Sequence, residues 1–98
     1  MSVLMTLRVK GDAKAIENTD EATLQTIVER AKSHGLISHH FYGNGNEVLV
    51  VDEWPDEEAC QAFMQSSPEI GQMMERAGVT ASFKPDFWRH LDVNDDVG

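Results

Sequence analysis

The stretch Glu47-Val48-Leu49-Val50-Val51-Asp52-Glu53-Trp54 sets the architecture of the whole chain. Its run from Val48 to Val51 is apolar on both faces of an extended backbone, the pattern of a central strand covered on both sides. Just before it, Gly43-Asn44-Gly45-Asn46 is a hairpin turn signal, so Leu36 to Tyr42 reads as an antiparallel partner strand. Just after it, Trp54-Pro55 ends the strand, and Asp56 caps a helix that turns Ala59, Cys60, Ala62 and Phe63 inward.

Further out, Val3, Met5, Leu7 and Val9 alternate with Leu4, Thr6 and Arg8, a period of two that marks a first strand. Gly11-Asp12 breaks it, and Lys14 to Asn18 reads as a connector. Thr19 is the expected N-cap of the first helix, with Asp20 and Glu21 set favourably against its dipole. Leu24, Ile27, Val28 and Ala31 form its apolar stripe, and Gly35 stands where a left-handed cap belongs. Ser66-Ser67-Pro68 interrupts the second helix, which resumes with Ile70, Met73, Met74 and Ala77 and ends at Gly78. Val79 to Phe83 reads as the fourth strand, with Pro85 forcing an edge or a bend before Phe87-Trp88.

The order β-α-β-β-α-β, closed by right-handed crossovers, gives an α+β domain of the ferredoxin-like kind. Its four-stranded antiparallel sheet carries two helices on one face. Residues 1–91 are expected to form this single domain, and 92–98 an acidic, frayed tail. The other sheet face lies open, yet the first and third strands offer large apolar residues to both faces. A second copy of the chain is the simplest cover.

Ninety-eight residues suit one domain, and 41% hydrophobic residues are too many for a disordered chain. Seventeen acids against eight bases leave a net charge of −9. That field repels phosphate backbones and anionic lipid, so neither nucleic acid nor membrane is an expected partner. The single cysteine, Cys60, excludes an internal disulfide and a multi-cysteine zinc site, and suits a reducing compartment. With no apolar run near the ~20 residues of a membrane span and no secretory pattern in the first residues, the expected location is cytoplasmic.

Residues 47–54, the acidic helix start with Ala59 and Phe63, His39-His40-Phe41 and Pro68-Glu69-Ile70 together resemble the antibiotic biosynthesis monooxygenase-like family of dimeric α+β barrels. In element order the resemblance runs from residue 3 to residue 88. It implies a homodimer with its sheets packed face to face and a cavity in each subunit between sheet and helices. It also implies a monooxygenase, or a related isomerase, that acts on a small aromatic or polyketide-like molecule without cofactor or metal. Haem-degrading relatives carry an asparagine on strand one, a tryptophan in the second helix and a histidine near that helix's end. Here those places hold Thr6 or Arg8, Phe63, and Met73 or Met74, which disfavours haem cleavage. A reading from another class is a non-catalytic homodimer that binds a small apolar ligand or assists a pathway enzyme.

A cofactor-free oxygenase needs a proton acceptor, and His39 or His40 is the first candidate, followed by Tyr42 and Asp52. Adjacent residues of a strand face opposite ways, so only one histidine reaches the cavity and the two cannot share a metal. Phe41, Trp54 and Phe63 are the expected aromatic wall for a substrate, with Met73 beside them. Each has a plainer role as well. Trp54 can plug the strand-to-helix corner, the histidines can sit on the sheet surface or an interface, and methionines at helical spacing fill cores. Cys60 reads as a small core residue, and His34 and His90 as structural. Gly43 and Gly45 lead into a strand, so they form no phosphate loop.

Overall fold

The computed structural model describes residues 2–68, 70, 72 and 84–98. Its elements are β1 (Val3–Lys10), α1 (Ala13–Glu17), α2 (Glu21–Ser33), β2 (Ser38–Asn44), β3 (Glu47–Trp54), α3 (Glu57–Gln65) and β4 (Asp86–Arg89). The sheet order is β2-β3-β1-β4 and each pairing is antiparallel. This is the expected ferredoxin-like α+β arrangement, with the Val48–Val51 run in a central strand.

The alternation of β3 is complete. Val48, Val50, Asp52 and Trp54 are buried, while Glu47, Leu49, Val51 and Glu53 are half-buried. β1 adds Met5, Leu7 and Val9 to the same inner face. The sheet's opposite face carries Leu4, Tyr42 and Trp88, all exposed in the single chain. On that face Trp88 Nε1 donates to Thr6 Oγ1 at 2.8 Å and Arg8 pairs with Glu47.

Three local devices hold the elements that roof the inner face. Asp20 caps α2 by accepting from the Thr23 amide at 3.0 Å. At its other end the Gly35 amide donates to the Lys32 carbonyl and the Leu36 amide to the Ala31 carbonyl, with Gly35 at φ 105°. That pair of bonds is the Schellman termination, and it needs a residue without Cβ. A Cβ at Gly35 would also lie 3.0 Å from Pro55, so the helix end is seated against the β3–α3 corner. Asp56 caps α3 through the Ala59 amide at 2.8 Å.

Several sequence expectations change. The cap of α2 is Asp20, not Thr19, because the Thr19 hydroxyl donates to the Ala15 carbonyl. The connector at Lys14–Asn18 contains α1, capped by Asp12. β2 starts at Ser38 and runs to Asn44, two residues later than expected at each end. The turn is therefore Gly45-Asn46, with Gly45 at φ 63°, where a two-residue II′ turn needs glycine. Ala62 is exposed, whereas Cys60 and Phe63 are buried. The expected strand Val79–Phe83, with Met73, Met74, Ala77 and Gly78, lies outside the described residues. The fourth strand that is described, Asp86–Arg89, follows Pro85 and, among the described residues, pairs with β1.

Because Val50 is buried and Leu49 faces outward, lysine at the two positions will act differently. Val50→Lys places an unpaired charge in the core and costs at least ~3 kcal/mol, enough to abolish most folding. Leu49→Lys keeps the folded far-UV circular dichroism spectrum; equal loss in both variants would contradict this alternation.

Candidate active site

A cavity of about 60 Å³ lies between the sheet and α2. Met5, Leu7 and Val50 floor it, and the whole predicted stripe of α2, Leu24, Ile27, Val28 and Ala31, lines its roof. Phe63 and Met64 of α3 and Leu36 close the sides. Among the described residues, apolar groups make up this lining except at one edge, where His39 and Asp52 enter.

The two meet because of register. Counting outward from the Gly45-Asn46 turn pairs Asn44 with Glu47, Phe41 with Val50 and His39 with Asp52. His39 Nδ1 donates to Asp52 Oδ1 at 2.5 Å. A carboxylate only accepts, so this bond assigns a proton to Nδ1; whenever the ring carries just that proton, Nε2 is the acceptor. Asp52 is 6% exposed, and its second oxygen accepts from Trp54 Nε1 at 3.3 Å. The His39 side chain keeps 25% of its surface exposed, so the pair reaches solvent through the imidazole. Phe41 meets the His39 ring edge-on at 4.7 Å and fixes its tilt.

Of the residues singled out in sequence, His39, Asp52, Phe41 and Phe63 come together here. His40 and Tyr42 do not, because alternation puts both on the outer sheet face, where their rings lie 6.2 Å apart. Trp54 is wholly buried and does not line the cavity, because its indole stands behind Asp52, 5.4 Å from Phe63. Met73 lies outside the described residues. His34 caps α2, donating from Nδ1 to the Arg30 carbonyl at 3.2 Å, and His90 is a surface partner of Asp96. In the sequence His39 and Asp52 stand thirteen residues apart; the turn position is the signal that joins them. Among the described residues no group of three or more His, Cys, Asp or Glu side chains could hold a metal ion. Nor is any helix among them long and apolar enough to cross a membrane.

With the site in place, the class is clear: an α+β sandwich of one antiparallel sheet and its helices, the fold of the antibiotic biosynthesis monooxygenase-like proteins. One solved relative is SnoaB, a cofactor-independent oxygenase from Streptomyces nogalater, at 11% identity and TM-score 0.64 over 97% of this chain and 98% of that one. A conserved protein from Methanosarcina mazei matches at 13% identity and TM-score 0.68 over 93% and 94%. A structure described as an antibiotic biosynthesis monooxygenase matches at 10% and 0.61 over 93% and 99%. At these identities the likeness is one of fold. No family model matches the sequence, and no curated protein matches it.

Cys60 is 1% exposed beneath the site, and burial, reinforced by the Asp52 charge, pushes its thiol from the ordinary 9.0 to about 11. It is therefore a protonated core group, not a nucleophile. The folded chain keeps the thiol proton while the unfolded chain loses it near pH 9. Stability from this group is thus intact below pH 9 and falls as pH rises towards 11, by roughly 3 kcal/mol in all. Denaturant melts will show this alkaline loss in the natural chain and a smaller one in Cys60→Ala.

Proposed function

We propose that this chain is a cofactor-independent monooxygenase, or a related isomerase, of a small aromatic or polyketide-like phenol or enol, with His39 as general base. The observation that carries the reading is the His39–Asp52 bond at a polar edge of a cavity whose other described lining residues are apolar. His39 Nε2 takes the substrate proton, and Asp52 stabilises the imidazolium so formed. In a dry pocket the enolate has no water to solvate it. It passes electrons to dioxygen and forms a carbon–oxygen bond, and the imidazolium returns its proton to the peroxide. Removal of the remaining hydrogen on that carbon then breaks the O–O bond, leaving a carbonyl and releasing water. Phe41 and Phe63 serve as the aromatic wall, and the substrate itself supplies the electrons. The fold shared with SnoaB supports this reading.

The test is oxygen uptake by metal-free protein with hydroquinone- and anthrone-like substrates. His39→Ala lowers turnover by ~10²-fold or more, whereas His40→Ala, on the outer face, leaves it nearly unchanged. Equal effects of the two substitutions, or no oxygen consumption across the panel, would end the oxygenase reading.

A second reading, a non-catalytic binder of small apolar molecules, is favoured by the cavity's apolar lining; such a ligand must widen a space well below the ~150 Å³ of an engineered cavity that admits benzene. A binder raises the melting temperature with ligand concentration and consumes no oxygen.

In either case the active species is a homodimer built on the outer sheet face, where Leu4, Tyr42, Leu49 and Trp88 leave apolar surface uncovered. Light scattering at micromolar concentration will give twice the 11.0 kDa chain mass, and Leu49→Lys will return it to that mass while folded. A natural chain that scatters as a monomer refutes the dimer.

A further inference from the structure

Trp54 has 0% of its surface exposed, yet its polar atom is turned towards the site. Trp54 ends β3, its backbone paired with Val3 of β1, and Phe63 packs against the indole at 5.4 Å with an interplanar angle of 33°. Phe63 is itself a wall of the cavity, so one side of the indole borders the wall and its edge meets Asp52. Packing alone would be served by any large apolar ring, and a buried indole N–H seeks a partner wherever it lies. Here the partner is the oxygen of Asp52 that His39 does not use.

We propose that Trp54 is a positioning residue: its indole N–H anchors the Asp52 carboxylate so that Oδ1 faces His39, which keeps His39 Nε2 unprotonated towards the cavity. The inference rests on the general-base reading of His39. A buried carboxylate with one donor leaves its second oxygen desolvated and free to turn about the Cβ–Cγ bond. Once it turns, the Nδ1 proton loses its acceptor, and the ring gains no advantage from carrying its proton there. The base would then sit in the cavity part of the time with a proton already on Nε2, unable to accept another. The Trp54–Asp52–His39 chain prevents that from the side of the core, without touching substrate.

The experiment reads the His39 tautomer by nitrogen-15 NMR in the ligand-free protein, with the signals assigned by their loss in His39→Ala. In the natural chain the neutral ring carries its proton on Nδ1. Trp54→Phe removes the donor and keeps an aromatic ring. A benzothienylalanine at position 54 keeps the bicyclic shape and puts sulfur in place of the N–H, so it serves where Trp54→Phe does not fold. Both substitutions move a measurable fraction of His39 to the Nε2–H form, and Asp52→Asn, whose carboxamide donates to Nδ1, moves nearly all of it. With an active substrate, kcat falls about tenfold or more while KM moves little, a part of the roughly 10²–10⁴-fold that a placed base supplies. A folded variant that lacks the N–H and retains the natural tautomer overturns the proposal and leaves Trp54 as packing. A shifted tautomer in a protein that turns over no phenol keeps the positioning role and removes the oxygenase reading.

Discussion

The buried carboxylate of Asp52 is the constraint around which the inner face is organised. An ionised carboxylate in an apolar interior costs several kcal/mol unless its oxygens find donors, and losing one partner of such a pair costs ~3–5 kcal/mol. Asp52 is met from two directions. One donor comes across the hairpin from His39, the other from two residues along its own strand. A slip of β2 against β3 by a single residue would turn His39 to the outer face and bring an outward-facing neighbour to Asp52. The pair therefore reinforces the register that the Gly45-Asn46 turn sets, and that register delivers an imidazole to the cavity.

Strand alternation divides the sheet into two surfaces with different work. Inward, Met5, Leu7, Val50 and Phe41 offer only dispersion contacts, so among the described residues the His39–Asp52 pair is the sole polar feature of the cavity lining. Outward, His40 and Tyr42 sit among Leu49, Val51 and Glu53, a mixed apolar and polar surface. Two adjacent histidines thus have unlike surroundings, although the chain presents them as a pair.

The sheet was legible because its evidence is local and redundant. Val48 to Val51 reads as central, the alternation of β1 as half-covered, and the stripe of α2 as a roof, and each is found in that place. What escaped was set by one-residue choices. Within Gly43-Asn44-Gly45-Asn46, either Asn44-Gly45 or Gly45-Asn46 can make the two-residue turn. The first pairs His39 with Val50, the second with Asp52. Both put His39 on the face of Val50, so its direction was available from the turn while its partner was not. The α2 cap failed similarly. Thr19 and Asp20 are both good caps, and the hydroxyl of Thr19 had a competing carbonyl at Ala15 within one helical turn. Trp54 is the instructive case, since a tryptophan at a strand end reads as wall or plug. Its bond to Asp52 depends on an indole orientation that no spacing encodes.

The cavity volume links the fold to its chemistry. About 60 Å³ holds the edge of an aromatic ring and not the ring itself, so a molecule of that size reaches His39 only if part of the roof gives way. The floor is the poorer place for that movement. Met5, Leu7 and Val50 belong to the hydrogen-bonded central strands, and displacing them would disturb the pairing that aligns His39 with Asp52. The roof is held differently. α2 is fastened at its two ends, by the Asp20 cap and by the Schellman bonds at Gly35, while Leu24, Ile27 and Val28 meet the cavity between them. Beside them Met64, unbranched and soft, can change rotamer at little cost. Entry by repacking these side chains leaves the backbone of the sheet in place. The His39–Asp52 pair then stays registered while the space in front of it changes size, and that separation lets one small domain combine a fixed polar pair with an adaptable pocket.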